Sequence, residues 1–283
     1  GTGFKAPTLA EIYKGTQIGN QNLVDTPVCG LDCQVRIDEV EIESNGNDDL
    51  KEETSLAYNL GVVAEPINGL SFGADYWYIK IEDIITEMDP QDVLDSIAEG
   101  NADPKVEVIR WNDGKLKRIK IPTLNLGESE DAGVDLNTSY RFRLGANRIS
   151  VGADYSTKLY SKSIPFPGED QKDTLGDRGQ PRWRAATNVA WVRDGHSVSL
   201  RNNIISEQRT ANDPDQTIGS FTTYDMQYAW NHPWGGNVAI GAINVLDTKF
   251  PEDPTERGGD DVRVQELFSP NGRVLYMNMN QTF

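Results

Sequence analysis

The chain has 283 residues, a formal charge of −17, a pI near 4.5 and a mean hydropathy of −0.55. That acidity argues against nucleic acid as a partner, because phosphate binding needs clustered Lys and Arg. With no run of about 18 apolar residues the chain offers no transmembrane helix, and with no G-x-S-x-G, H-E-x-x-H or Gly-rich phosphate loop it offers no enzyme chemistry and implies no cofactor.

In chain order, Gly1 to Tyr13 leads into a long polar stretch, Lys14 to Leu50, that carries Glu39, Glu41, Glu43, Asp48 and Asp49. It also holds the two cysteines, Cys29 and Cys33, and with two His in the whole chain no zinc site is completed from obvious ligands. The pair reads as a local disulfide, formed in an oxidising compartment. Leu56, Tyr58, Leu60, Val62 and Ala64 then recur at every second position, as do Leu70, Phe72, Ala74, Tyr76 and Tyr78, so each set shares one face of a strand. Asn68-Gly69 between them tolerates the positive φ of a hairpin turn.

Glu87 to Thr123 is a second long stretch, acidic through Asp89, Asp92, Asp95, Glu99 and Asp103, with two built elements. Asp89-Pro90 opens a helix as N-cap and first residue, Val93, Leu94 and Ile97 give it an apolar face, and Gly100 ends it. Val106 to Trp111, the turn Asn112-Asp113-Gly114 and Lys115 to Ile121 make a hairpin, basic through Arg110, Lys115, Lys117, Arg118 and Lys120. Arg110, Trp111 and Arg118 are the candidate contacts for an anionic ligand, Trp111 by stacking. The plainer role of a basic strand edge is to discourage edge-to-edge pairing.

Strand patterns continue in the segments 134–142, 149–155, 183–191, 198–204, 223–230 and 238–242 and in a closing strand to Phe283, nine in all. In the clearest, Val134, Leu136, Thr138, Tyr140 and Phe142 oppose Asp135, Asn137, Ser139 and Arg141. The turns between hairpin partners are short, Asp194-Gly195 and Gly235-Gly236 among them. The other connections are long: Ser161 to Pro181, Gln208 to Ser220, and Asp247 to Gly272 with Glu252, Asp253, Glu256, Asp260 and Asp261. The acidic loops read as solvated surface; divalent-cation binding is the sharper reading. His196 and His232 read as solvated turn residues.

Alternation alone suits a soluble β-sandwich equally well. Three features favour a membrane. The strands approach the roughly 9 to 11 residues that cross a bilayer, and aromatics gather at strand ends as Tyr76, Trp77, Tyr78, Trp183, Trp191, Tyr228, Trp230 and Trp234. Loop length also alternates short and long, as in outer-membrane barrels. The expected fold is therefore all-β, an antiparallel transmembrane β-barrel with about nine strands in this chain, an open curved sheet if they stand alone. Tyr140, Tyr155, Val189, Leu200, Tyr228, Ile240 and Met277 should share the outer face, with Asp135, Asp154, Asn188, Arg201, Asp225 and Asn278 on the inner.

Particular motifs carry a resemblance. Gly3-Phe4-Lys5-Ala6-Pro7-Thr8-Leu9-Ala10-Glu11-Ile12-Tyr13 is similar to the G-F-[KR]-A-P-x-L-x-E stretch of TonB-dependent outer-membrane receptors. Leu50-Lys51-Glu52-Glu53-Thr54-Ser55 with Tyr58-Asn59-Leu60-Gly61 resembles the same family's L-K-P-E-x-S strand start. So do Ala74-Asp75-Tyr76-Trp77 with Ile79-Lys80-Ile81-Glu82-Asp83-Ile84, Asn125 through Gly133-Val134-Asp135, and Gly241 through Asn244 to Asp247, in the family's order. The closing strand sets Leu275, Met277, Met279 and Gln281 on the face of terminal Phe283, with Gln281 departing from the usual apolar residue.

The resemblance implies that residues 1–283 are one C-terminal portion of the barrel, the last nine of roughly 22 strands, without the plug domain and the segment that contacts TonB. It implies TonB-dependent uptake of a scarce nutrient, a ferric siderophore or similar large cargo, across the outer membrane of a Gram-negative bacterium. The fragment would supply barrel wall and extracellular loops. Its partners would be outer-membrane lipid and lipopolysaccharide, the small-molecule cargo, and the TonB complex through the missing N-terminal part. The alternative is a passive outer-membrane pore or structural β-barrel protein.

Overall fold

The computed structural model describes all residues except 33–34, 102–103, 165–170, 211–212, 214, 234, 257–263, 265–266 and 282–283. Cys33, Asp103, Trp234, Asp260, Asp261 and Phe283, named above, lie outside the described residues. The elements in chain order are β1 (Thr2–Lys5), α1 (Leu9–Tyr13), β2 (Gln17–Val24), α2 (Thr26–Cys29), β3 (Arg36–Asn45), β4 (Glu53–Ile67) and β5 (Leu70–Thr86). There follow α3 (Pro90–Ala98), β6 (Glu107–Arg110), β7 (Leu116–Pro122), β8 (Leu124–Leu144), β9 (Asn147–Ile164), β10 (Lys172–Asp173) and β11 (Trp183–Arg193). The chain closes with β12 (His196–Ile205), β13 (Gln208–Arg209), β14 (Thr217–Ile218), β15 (Phe221–His232), β16 (Gly236–Ile243) and β17 (Val274–Gln281).

The main sheet runs β1-β4-β5-β8-β9-β11-β12-β15-β16-β17, with β10 on β9. Its nine longer strands are those read from the alternation, and each lies beside its successor. β1 adds the tail of one more, Thr2 opposite Leu56 through Lys5 opposite Glu53. β4, β5, β8 and β9 have 15, 17, 21 and 18 residues, well beyond the roughly 9 to 11 a bilayer requires. The chain divides into two compact units that share these strands: residues 1–57, 79–130 and 162–172, and residues 58–78, 131–161 and 173–283.

The first unit contains a second sheet, β2-β3-β7-β6, in which β3 and β7 are parallel. Sequence reading took Lys14 to Leu50 as an acidic loop, and the structure corrects this. β3 carries a bulge: Glu39 has φ 58°, and the pairing with β2 shifts between Gln21 and Leu23. The inward residues therefore run Ile37, Val40, Ile42, which breaks the period of two and hides the strand. Leu23, Val40, Leu116, Ile119 and Ile121 pack with Val93 and Leu94 of α3 into one apolar core, each buried side chain worth about 1.5–3 kcal/mol. α3 has the predicted start and stop: Asp89 accepts from the Gln91 amide at 2.8 Å, and Gly100 takes φ 88°. Gln91 fastens the helix to β2 by bonding Val24 N and O at 2.8 and 3.1 Å.

In the second unit the register decides which side chains share a face. Val151, Val189, Leu200, Met226, Ala242 and Leu275 stand opposite one another across six strands. Tyr155, Tyr228, Ile240 and Met277 fall on the same face, and the alternate row holds Gly152, Asn188, Arg201 and Asp225. Apart from Ala242, which is buried, the apolar row is uncovered, with Leu200 42%, Ile240 51% and Met277 67% exposed. Tight turns are made by Gly69, Gly145, Asp194-Gly195 and Gly235, all at positive φ, the region side chains avoid.

Two readings need correction. Trp77 is not on the apolar face with Tyr76 and Tyr78. It lies over Gly133, where a Cβ would stand 2.3 Å from its ring. His232 is no solvated turn residue: it ends β15 at 6% exposure, edge-on to Trp230 and packed over Gly236. His196 begins β12, bonded to the Tyr228 hydroxyl at 2.7 Å and stacked on Trp230.

Candidate functional site

The β6–β7 hairpin of the first unit forms as its turn chemistry dictates. Trp111 N donates to Lys115 O at 2.8 Å, Gly114 N donates to Trp111 O at 2.9 Å, and Gly114 takes φ 87°. The Lys115 amide donates to the Asp113 carboxylate, which holds that acid below its ordinary value. The arginines are committed within the unit. Arg110 grips Asp25 with both terminal nitrogens, at 2.5 and 2.7 Å, and this bond raises its pKa further. Arg118 reaches Glu41 at 2.5 Å and Glu43 at 2.7 Å, and Lys120 reaches Glu107 at 2.9 Å.

What the hairpin leaves open is Trp111, 56% exposed, with Lys117 Nζ 4.4 Å from its ring centre. A flat aromatic face beside an ammonium suits a planar or anionic ligand. The structure thus brings Arg110 and Trp111 to one end of the hairpin and sets Arg118 against β3. Local sequence could not show that both arginines are occupied, because Asp25 and Glu43 lie 85 and 75 residues away. Cys29 ends α2 in a disulfide; Cys33 lies outside the described residues.

The polar face of the second unit offers a different surface. Asp135, Asn137, Asp154, Ser156, Arg184 and Asn203 line a hollow of about 440 Å³. Its groups are cross-linked: Ser156 donates to Asp135, Asn203 donates to Asp225 at 3.2 Å, and Arg201 donates to Asn203 at 3.0 Å. Lys158 binds Asp131 at 2.7 Å and Gln180 at 3.0 Å.

The loops of this unit are also fastened, which alternation could not reveal. Arg178 meets the buried Asp253 at 3.2 Å, Arg209 holds Asp177 and two loop carbonyls, and Ile218, Val264 and Phe268 form a small core. Among the described residues no three His, Cys, Asp or Glu are grouped to hold a metal ion, and no helix is long and apolar enough to cross a membrane.

The family model described as TonB dependent receptor-like, beta-barrel matches residues 1–245. The chain belongs to the TonB-dependent receptor family. Among solved structures, this receptor barrel is similar to a mutant of the ferric enterobactin receptor PfeA from Pseudomonas aeruginosa in complex with enterobactin, with TM-score 0.67 and 14% identity, covering 100% of this chain and 37% of that one. It is also similar to the siderophore receptor PirA from Acinetobacter baumannii (TM-score 0.63, 14%, covering 100% and 38%) and to the copper transporter OprC (0.58, 14%, 100% and 36%). At these identities the likeness is one of fold, and the receptor chain here spans little more than a third of their length. No curated protein sequence matches it.

The receptor motifs have physical roles in the structure. Asn125 bonds Lys51 N and O and Asp83 O at 2.8–3.0 Å, tying the start of β8 to β5 and to the segment that precedes β4. Asn244, at φ 51°, closes a ring with Thr248 by two 2.9 Å bonds. Thr8 and Glu11 form a capping box on α1.

Proposed function

We propose that residues 1–283 are the C-terminal portion of the barrel of an outer-membrane transporter that takes up a ferric siderophore or similar large cargo in a TonB-dependent way, with no catalytic step. The observation that carries this reading is the register, which puts Tyr155, Val189, Leu200, Tyr228, Ile240 and Met277 on one exposed face and Asn188, Arg201 and Asp225 on the other. In water so broad an apolar face is a liability, whereas facing lipid it is required. Trp111 and Lys117 on the hairpin are the proposed cargo contacts, with Arg110 and Arg118 holding the hairpin against its acidic neighbours. A Cys29–Cys33 bond, closing the turn after α2, belongs to the same reading. The full-length receptor should support cargo uptake that stops when the proton gradient is collapsed. Uptake that persists would mean a passive pore.

A further inference from the structure

The two edges of the second sheet, β2 and β6, are protected unequally. β6 is four residues long and carries Glu107 and Arg110, the brevity and charge by which edge strands avoid pairing with other chains. β2 has eight residues, none of them charged and none proline, and residues 17–22 are exposed. β3 takes one side of it. Among the described residues the backbone of 17–22 makes no bond beyond that pairing, so alternate N–H and C=O groups stand open along the other side.

One end of β2 shows what fits that side. Gln91 of α3 meets Val24 as a neighbouring strand would, its side-chain amide donating to the carbonyl at 3.1 Å and accepting from the N–H at 2.8 Å. Further along β2 is a hollow of about 370 Å³ whose lining includes Gln17, Gly19, Gln21, Ile42, Met88 and Ile121. Gly19 opens it, since a Cβ there would meet nothing within 4 Å. A strand laid beside β2 would turn every second side chain to this face, where Ile42, Met88 and Ile121 suit an apolar one. Charge narrows the choice further. Asp89 and Asp95 flank Gln91, and each accepts only from it, from its backbone N–H at 2.8 Å and from its side-chain amide at 2.9 Å. Among the described residues no cation matches either carboxylate. A second copy of this chain, with its own formal charge of −17, would bring like charge to the contact.

We propose that the free edge of β2 receives an extended, cationic segment of a different polypeptide, which joins the sheet as a further strand, with a basic residue beside Asp89 and Asp95 and an apolar one over Gly19. In such strand addition the main-chain bonds give affinity and the pockets for alternate side chains give selectivity. The uncharged edge supplies the first, and the hollow with its two carboxylates supplies the second.

The test uses the purified full-length receptor in detergent and a phage-displayed library of random dodecapeptides. Enriched clones should alternate apolar and polar residues and carry Lys or Arg towards one end. A synthetic peptide of the strongest clone should slow amide exchange along β2 and leave β6 unchanged. D89N with D95N removes both charges while Asn still caps a helix, and it should weaken that peptide about tenfold. Gly19→Phe fills the hollow and should weaken it about tenfold as well, with exchange in β3 and β7 unchanged as the sign of an intact sheet. Clones without basic residues, protection of β6 in place of β2, or binding indifferent to both variants would overturn the proposal. So would the absence of any enrichment over a receptor-free surface. Protection of β2 that grows with receptor concentration and needs no peptide would also overturn it, by making a second copy the occupant.

Discussion

Removing Arg110 should loosen the hairpin by an amount the structure allows to be worked out. Asp25 is 9% exposed in its side chain and Arg110 28%, and the pair is joined by two bonds of 2.5 and 2.7 Å. Ala at 110 deletes two charge-assisted bonds and leaves a carboxylate buried without its partner. A fully buried pair broken from one side costs about 3–5 kcal/mol. Water reaching the partly exposed guanidinium brings the expected loss to about 2 kcal/mol, or about a 30-fold larger opening equilibrium. Hydrogen exchange of the β6 and β7 amides in the full-length receptor should show it, while β11 and β12 keep their protection. Asp25→Ala should cost a comparable amount, and the double variant much less than the sum, because removing both groups leaves no orphan charge. Simple additivity would show that the pair contributes nothing as a pair.

Three further outcomes follow from other parts of the chain. Leu200→Arg on the apolar face should lower barrel stability by about 2–4 kcal/mol near the bilayer midplane, measured by refolding into lipid, whereas Asn188→Arg on the polar face should be tolerated. Trp111→Ala should weaken cargo binding by about 2 kcal/mol if it is a hot spot, at unchanged barrel yield in a titration; replacing Glu252 and Glu256 should weaken it far less. The Arg273 amide donates to Asp247 at 2.8 Å and holds that acid below its ordinary value of 3.8. The stabilisation is thus complete above that value and lost as pH falls through the lowered one, read as faster exchange of the Arg273 amide than its neighbours show.

The wall was legible because each strand obeys a period of two and each turn carries a residue suited to positive φ. α3 was legible because Asp89, Pro90 and Gly100 mark its ends. The second sheet was not, because the bulge at Glu39 changes the spacing of Ile37, Val40 and Ile42 and makes a core strand read as an acidic loop. The basic hairpin was found but the ion pairing of its arginines was not: Arg118 meets Glu41 and Glu43 only through the parallel pairing of β3 with β7, a tertiary fact. Trp77 looked like a membrane-interface aromatic beside Tyr76 and Tyr78, yet alternation turns it inward, and Gly133 leaves the room it fills.

The central claim is that this sheet is barrel wall with one face in lipid. Spin labels placed singly from Ala186 to Trp191 in the full-length receptor, reconstituted in bilayers, test it most directly through collision with oxygen and with a water-soluble nickel complex. Oxygen access should peak at 187, 189 and 191 and nickel access at 186, 188 and 190. Equal access to nickel along the whole segment would contradict a membrane-spanning wall.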